Sequence, residues 1–519
     1  MMKQVKQKKV ILTILGALLL SLAISWLVPW ILPMGKAFNS WLATFILSLL
    51  ITGTLAIVWH GAGGGNRLFW MMLLAFLLRL ILGFFLTWAL PRFGYAEQVQ
   101  QAGYYYADAF TRDGQAWHLA GSGLSLWRIF NRDFMSDQYG GLLFLSGLIY
   151  RLFSPDAHRP YLMILLSAGA GALGIPFLIS AIQKRFSSQA AVIAGWILCL
   201  YPDSLLLGAS QMREPYLISL FAVSFWAVMR LIAQKVDWKS LLGLALGLIG
   251  LLLFSYRAAI PVVGALFIWV WVEQNKVLPK KWMRIAGWIA VFFMMLIMIF
   301  LSWRWLRSVF DWDIYMAIRG SGWIDKLFKE VPEWIQIPFL TIYGFFQPVL
   351  PAAIVDPAPW VWQGTAIMRA LGWYAIMPLL LYGAFGVWRV VDKNQRQLLV
   401  WAFLVVGGWT LLSSLRAGGD QWDNPRYRTI FLPWMAMLAA WAITWAKTRK
   451  DRWLMRWIIV EGIFLGFFGS WYASRYFGRF GRLPFWSMVL WIVGSSLLVL
   501  VGGWVWDRLR QAKKCDYKA

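Results

Sequence analysis

Long apolar runs separated by short polar pieces dominate the chain. A helix that crosses a bilayer needs about 20 mostly apolar residues. Runs of that kind lie near 10–32, 37–59, 68–90, 160–182, 189–209, 214–230, 240–256, 258–273, 285–303, 370–388, 397–415, 429–446, 457–474 and 483–506. They predict an all-α polytopic membrane protein of about fourteen spans, within a range of twelve to fourteen. The two runs flanking Arg257 are short. Two further runs, 140–153 and 338–350, fall below spanning length and predict helices that lie at the interface or dip into it. Three polar stretches interrupt the series: Pro91–Arg159, Arg304–Arg369 and Arg416–Arg428.

Composition agrees with the pattern. Hydrophobic residues make up 60% of the 519 and charged residues only 14%, against about 25% charged in a soluble domain. The mean hydropathy is +0.62. A soluble enzyme and a disordered chain are both excluded. The net charge of +26 would suggest nucleic acid on a soluble protein, but here it follows topology. With both termini cytoplasmic and an even number of spans, most of the positive excess falls on the inner pieces. No nucleic-acid partner is expected. The first run is longer than a signal-peptide core and has no small-residue cleavage site after it, so it reads as a retained anchor. Two Cys and three His exclude a disulfide scaffold and a Cys/His zinc site.

The expected layout is N-terminal spans over 1–90, a first external loop over 91–159 and central spans over 160–303. A second external loop with a re-entrant or interfacial helix covers 304–369. C-terminal spans occupy 370–506, and a basic cytoplasmic tail occupies 507–519.

Candidate chemistry gathers in the external pieces. The first loop carries Asp108, Asp113, Asp133 and Asp137. Helical spacing from Asp113 puts Trp117 one turn away. A carboxylate above the membrane among aromatic rings suits a general base toward a hydroxyl, and an Asp at that point equally suits a helix N-cap. In Pro425-Arg426-Tyr427-Arg428 two guanidiniums flank a phenol as the chain meets the membrane, a donor set for phosphate or for ordinary headgroups. Arg257 at a hairpin tip is a further candidate phosphate contact. Arg213-Glu214-Pro215 reads as a helix start with a local ion pair. Arg79 and Glu461 are charges inside spans, functional candidates or partners of one another. Asp311 and Asp313 are a weak metal signal.

Four motifs together resemble the GT-C type membrane glycosyltransferases, in particular the protein O-mannosyltransferase and aminoarabinose transferase group (glycosyltransferase family 39-like). They are Asp113-Gly-Gln-Ala-Trp117-His-Leu-Ala120, Gln138-Tyr139 through Tyr150-Arg-Leu-Phe153, Tyr201-Pro202-Asp203 through Arg213-Glu214, and Pro425-Arg426-Tyr427-Arg428 through Pro433. The chain differs from the protein mannosyltransferases in lacking an adjacent Asp-Glu pair in the first loop.

The resemblance implies a GT-C type fold and an inverting transfer of a sugar from a polyprenyl-phosphate donor to an acceptor hydroxyl of a protein, lipid or glycan. The reaction would take place on the external face of the plasma membrane, without a metal or other cofactor. Asp113 is the expected base and Asp108 the alternative. Arg426, Tyr427, Arg428 and Arg257 would face the donor phosphate, and Asp137, Gln138, Tyr139, Arg213 and Glu214 the substrate. A flippase of a lipid-linked sugar, or an O-antigen-type polymerase or ligase using a diphosphate-linked donor, are the competing readings.

Overall fold

The computed structural model describes residues 2–130, 140–233, 237–274, 280–293, 295–297, 300, 314–315, 322–417, 423–478, 481 and 483–516. Among these residues helices are the only regular elements, joined by turns and loops, with no strand. Among the described residues eleven helices are long and apolar enough to cross a membrane, or twelve if one bent pair counts as a single span. The protein is therefore an all-α integral membrane protein. Contacts divide it into two units, one of residues 1–284, 359–361 and 429–437, the other of 285–358, 362–428 and 438–519.

The first unit holds α1 (Met2–Ile31), α2 (Ala37–Gly61), α3 (Asn66–Phe93), α4 (Gln98–Gln101), α5 (Ala107–Gly121), α6 (Gly141–Phe153), α7 (Tyr161–Ile182), α8 (Ser188–Leu200), α9 (Pro202–Gly208), α10 (Glu214–Ala233) and α11 (Trp238–Gln274). At its centre α7 packs against α2, α3, α8 and α10. Small residues on α7 allow the close approach that packing between membrane helices requires. A Cβ on Gly174 would stand 2.8 Å from Ser219 Oγ of α10.

The bend between α8 and α9 has a chemical cause. In an unbroken helix the Leu198 carbonyl would accept from the amide of residue 202, but that residue is proline and has no N–H. Arg79 of α3, fully buried, takes its place. Its guanidinium donates to Leu198 O at 3.3 Å, Cys199 O at 3.4 Å, Ser204 Oγ at 2.8 Å and Ala75 O at 2.9 Å. α8 and α9 then meet at 50°. Arg79 thus acts as packing glue, and its partners here are backbone carbonyls and a serine rather than Glu461.

The runs on either side of Arg257 are two helical arms of α11, parted by extended backbone at Ser255 (φ −170°, ψ 101°). Contacts with α10 show that the chain reverses there. Trp226 meets Gly243, Leu220 meets Gly250 and Tyr216 stacks on Phe254, so the first arm runs antiparallel to α10. Phe225 then meets Trp269, so the second arm returns along the same helix. Ser255 Oγ accepts from Ala258 N and caps that second arm. The expected run at 285–303 ends outside the described residues.

The second unit contains α12 (Gly322–Glu330), α13 (Glu333–Phe346), α14 (Leu350–Val355), most of α15 (Trp360–Gly386), α16 (Lys393–Ala417), α17 (Asp423–Arg428), most of α18 (Leu432–Arg449), α19 (Trp453–Tyr476) and α20 (Phe485–Asp516). One apolar cluster joins Val349 to Phe468, Trp471, Tyr472 and Met488. The short apolar runs at 140–153 and 338–350 appear as α6 and as the end of α13, neither of them a candidate span.

Candidate active site

α5 carries the central carboxylate. The helix begins at Ala107, so Asp113 lies well inside it rather than at its N-cap, which is Tyr106. Asp108 occupies the first turn, where a carboxylate favours the helix dipole, and is exposed. Five residues separate the two, so they point about 140° apart around the axis.

Asp113 is 2% exposed and accepts three hydrogen bonds from outside its own helix. Tyr104 Oη donates to Oδ2 at 2.5 Å, Tyr150 Oη of α6 donates to Oδ1, and His158 Nε2 lies 2.7 Å from Oδ2. Burial and the neighbouring Asp113 charge push both phenols far above the ordinary tyrosine value, so they remain neutral donors. Trp117, one turn along α5, stacks on the His158 ring at 5.2 Å and 22°. Tyr150 meets the same ring edge-on at 5.2 Å.

A clamp holds the loop that carries His158. The fully buried Arg159 forks onto Asp156 (2.6 and 3.0 Å) and also donates to Ser40 Oγ at 2.8 Å and Ser154 Oγ at 3.1 Å. Asn39 of α2 adds a bond to Asp156 at 3.0 Å. Hydrogen bonding to the Arg159 guanidinium, helped by Asn39, holds the Asp156 carboxyl well below the usual carboxylate range. Arg151 of α6 donates to the carbonyls of Leu119 (3.0 Å) and Leu124 (2.7 Å) and ties α6 to the end of α5.

Beside this network lies a cavity of about 300 Å³. Its polar lining is Tyr104 and His158, set among Met34, Phe110 and Pro160. The segment before α10 also reaches the network. Gln211 has a left-handed backbone (φ 55°), a strained state for a non-glycine residue that tends to occur at functional sites. Its carbonyl accepts from Arg112 Nη1 at 3.3 Å.

The other expected site residues fall as follows. Glu214 is the buried first residue of α10, with Arg213 Nε 3.8 Å from its carboxylate, the helix start with a local ion pair that their order suggests. Arg257 is exposed at the α11 tip. That tip abuts α6, because a Cβ on Gly141 would collide with the Leu253 carbonyl. Asp137, Gln138 and Tyr139, like Asp133, Asp311 and Asp313, lie outside the described residues.

Arg426, Tyr427 and Arg428 belong to the second unit. Arg428 is fully buried, lies 3.7 Å over the Trp373 ring and donates to Phe345 O (3.3 Å) and Gln347 O (2.5 Å), which is the geometry of a structural post. The Arg426 guanidinium lies 5.3 Å from the Tyr427 ring. Among the described residues no group of three His, Cys, Asp or Glu could hold a metal ion.

His158 and Tyr104 are the functional candidates that sequence reasoning missed. The three histidines make no motif, and only the Tyr150-Arg-Leu-Phe153 segment pointed toward one of the phenols. No protein-family model and no curated protein matches this chain. Among solved structures it is similar to the archaeal oligosaccharyltransferase AglB from Archaeoglobus fulgidus, in complex with an inhibitory peptide and a dolichol-phosphate, at 12% identity and a TM-score of 0.38. The alignment covers 84% of this chain and 55% of that one, so the chain spans about half the length of that neighbour. A likeness of this size carries no chemistry, and the function is argued from the residues.

Proposed function

We propose that this protein is a GT-C type membrane glycosyltransferase. It transfers a sugar from a polyprenyl-phosphate donor to an acceptor hydroxyl on the external face of the membrane, with inversion and without a metal. The observation that carries the reading is the Asp113 cluster. A buried carboxylate fixed by two phenols and an imidazole stands beside a cavity in a polytopic membrane protein, and it joins the motif segments around Asp113, Tyr150 and Gln211. Such a cluster supplies basicity to a hydroxyl as it attacks the anomeric carbon. The acceptor oxygen forms the new glycosidic bond, and the bond to the lipid phosphate breaks with its electron pair leaving on the phosphate oxygen. Asp113 is preferred to Asp108 because it is the one held in the network.

The test uses the full-length protein in nanodiscs with polyprenyl-phosphate sugars and, in parallel, polyprenyl-diphosphate sugars. Asp113→Asn should reduce transfer by about 100-fold or more, the usual contribution of a general base. Asp108→Asn should stay within about threefold. Activity confined to the diphosphate donor would favour a polymerase or ligase. Movement of labelled lipid across sealed vesicles without a covalent product would favour a flippase.

A further inference from the structure

We infer that His158, rather than the Asp113 carboxylate itself, takes the proton from the acceptor hydroxyl, and that Asp113 positions and charges the imidazole. This inference rests on the proposed glycosyl transfer.

Access decides between the two groups. Asp113 is 2% exposed, and Tyr104, Tyr150 and His158 cover its two oxygens. Burial beneath these three groups keeps an acceptor hydroxyl away from the carboxylate. The His158 side chain is 31% exposed and lines the cavity. Because Nε2 faces the carboxylate and donates to it, Nδ1 is the nitrogen left with a lone pair to accept a proton. The ring cannot turn away. Trp117 covers one face, Tyr150 abuts its edge, and the Arg159–Asp156 clamp fixes the chain on either side. The charged and titratable groups packed around it are Asp113 on α5, Tyr104 on the preceding loop, Tyr150 on α6, and Asp156 with Arg159 on its own loop.

In the step, the acceptor O–H proton moves to His158 Nδ1 while the acceptor oxygen bonds the anomeric carbon. The bond from that carbon to the lipid phosphate oxygen breaks, and its electron pair stays with the phosphate. The imidazolium formed faces the Asp113 carboxylate, which stabilises it, and the proton passes to water once product has left. A buried carboxylate oriented behind an imidazole favours the protonated ring without itself taking the proton.

The experiment compares wild type, His158→Gln, His158→Ala and Asp113→Asn in nanodiscs, with sugar transfer measured against pH and thermal midpoints taken in parallel. We expect His158→Gln to lower kcat about 100-fold or more with little change in KM and to lack the acid limb of the wild-type profile. Free imidazole should restore part of the activity of His158→Ala and none of that of Asp113→Asn. If His158→Gln keeps kcat within threefold while Asp113→Asn is inactive, the inference is overturned and the carboxylate is the base, with the proposed function intact. Loss in both His158 variants with no imidazole rescue and an unchanged acid limb also overturns it, leaving His158 a structural role. If wild type transfers no sugar from any polyprenyl-linked donor, both readings fall.

Discussion

Asp113 and Asp108 show how little a residue's type says without its surroundings. Both are loop aspartates on one helix. One is buried under three donors, and the other is exposed in the first turn of the helix. The same holds for Asp156, whose role is to keep Arg159, and with it the His158 loop, in place. Its carboxyl titrates below its unfolded value because the Arg159 guanidinium holds the charged form. A depressed carboxylate contributes stability that is complete above the unfolded value, about 4, and is lost as pH falls through the folded one. Asp156→Asn should therefore lower the thermal midpoint at pH 7, and the gap to wild type should close as pH drops below about 4. A gap that stays constant down to pH 3 would mean that the ion pair does not stabilise the fold.

Elements in this protein are shaped by what replaces a missing backbone partner. At Pro202 the replacement is a side chain from another helix. Removing the Arg79 guanidinium leaves buried carbonyls and a hydroxyl without their donor, at about 1–3 kcal/mol per group, partly offset by relief from burying a charge. Arg79→Met should thus destabilise the protein by roughly 2 kcal/mol or more. Pro202→Ala returns an amide to Leu198 O, so the double variant should lose less than the two single losses added together. Strict additivity in unfolding measurements would show that Arg79 does not stand in for that amide. At Ser255 a single extended residue turns one 37-residue element into two arms. The sequence showed both arms but only a short polar interruption between them. The reversal is set by α10, which offers a surface to each.

For the whole molecule, the apolar helices make membrane residence a matter of length and hydropathy, and the Lys/Arg bias argues for inner termini. Cysteine chemistry tests the proposed sidedness. Cys199 is buried, with Sγ bonded to Met71 O at 3.3 Å, and should not react. In right-side-out vesicles an impermeant maleimide should label Asp108→Cys and leave the native Cys515 unlabelled until the membrane is opened. Labelling of Cys515 in sealed vesicles would invert the topology and move the candidate site to the cytoplasmic face.

Much of this architecture was legible from the chain itself. Apolar run length determines which segments become membrane helices, because the bilayer demands about 20 such residues whatever their neighbours are. Helical spacing put Trp117 one turn from Asp113, a local relation that the 3.6-residue period guarantees. What tertiary structure decided is which distant side chains meet. His158 lies 45 residues from Asp113 and Tyr150 lies 37 residues from it, and no periodicity links them. They converge because α6 packs on α5 and because a buried arginine folds the next loop back. Arg79 likewise lies 119 residues from the carbonyl it serves. A backbone pattern repeats along a chain and can be read from it, whereas the convergence of side chains on one carboxylate depends on packing that exists only once the helices have assembled.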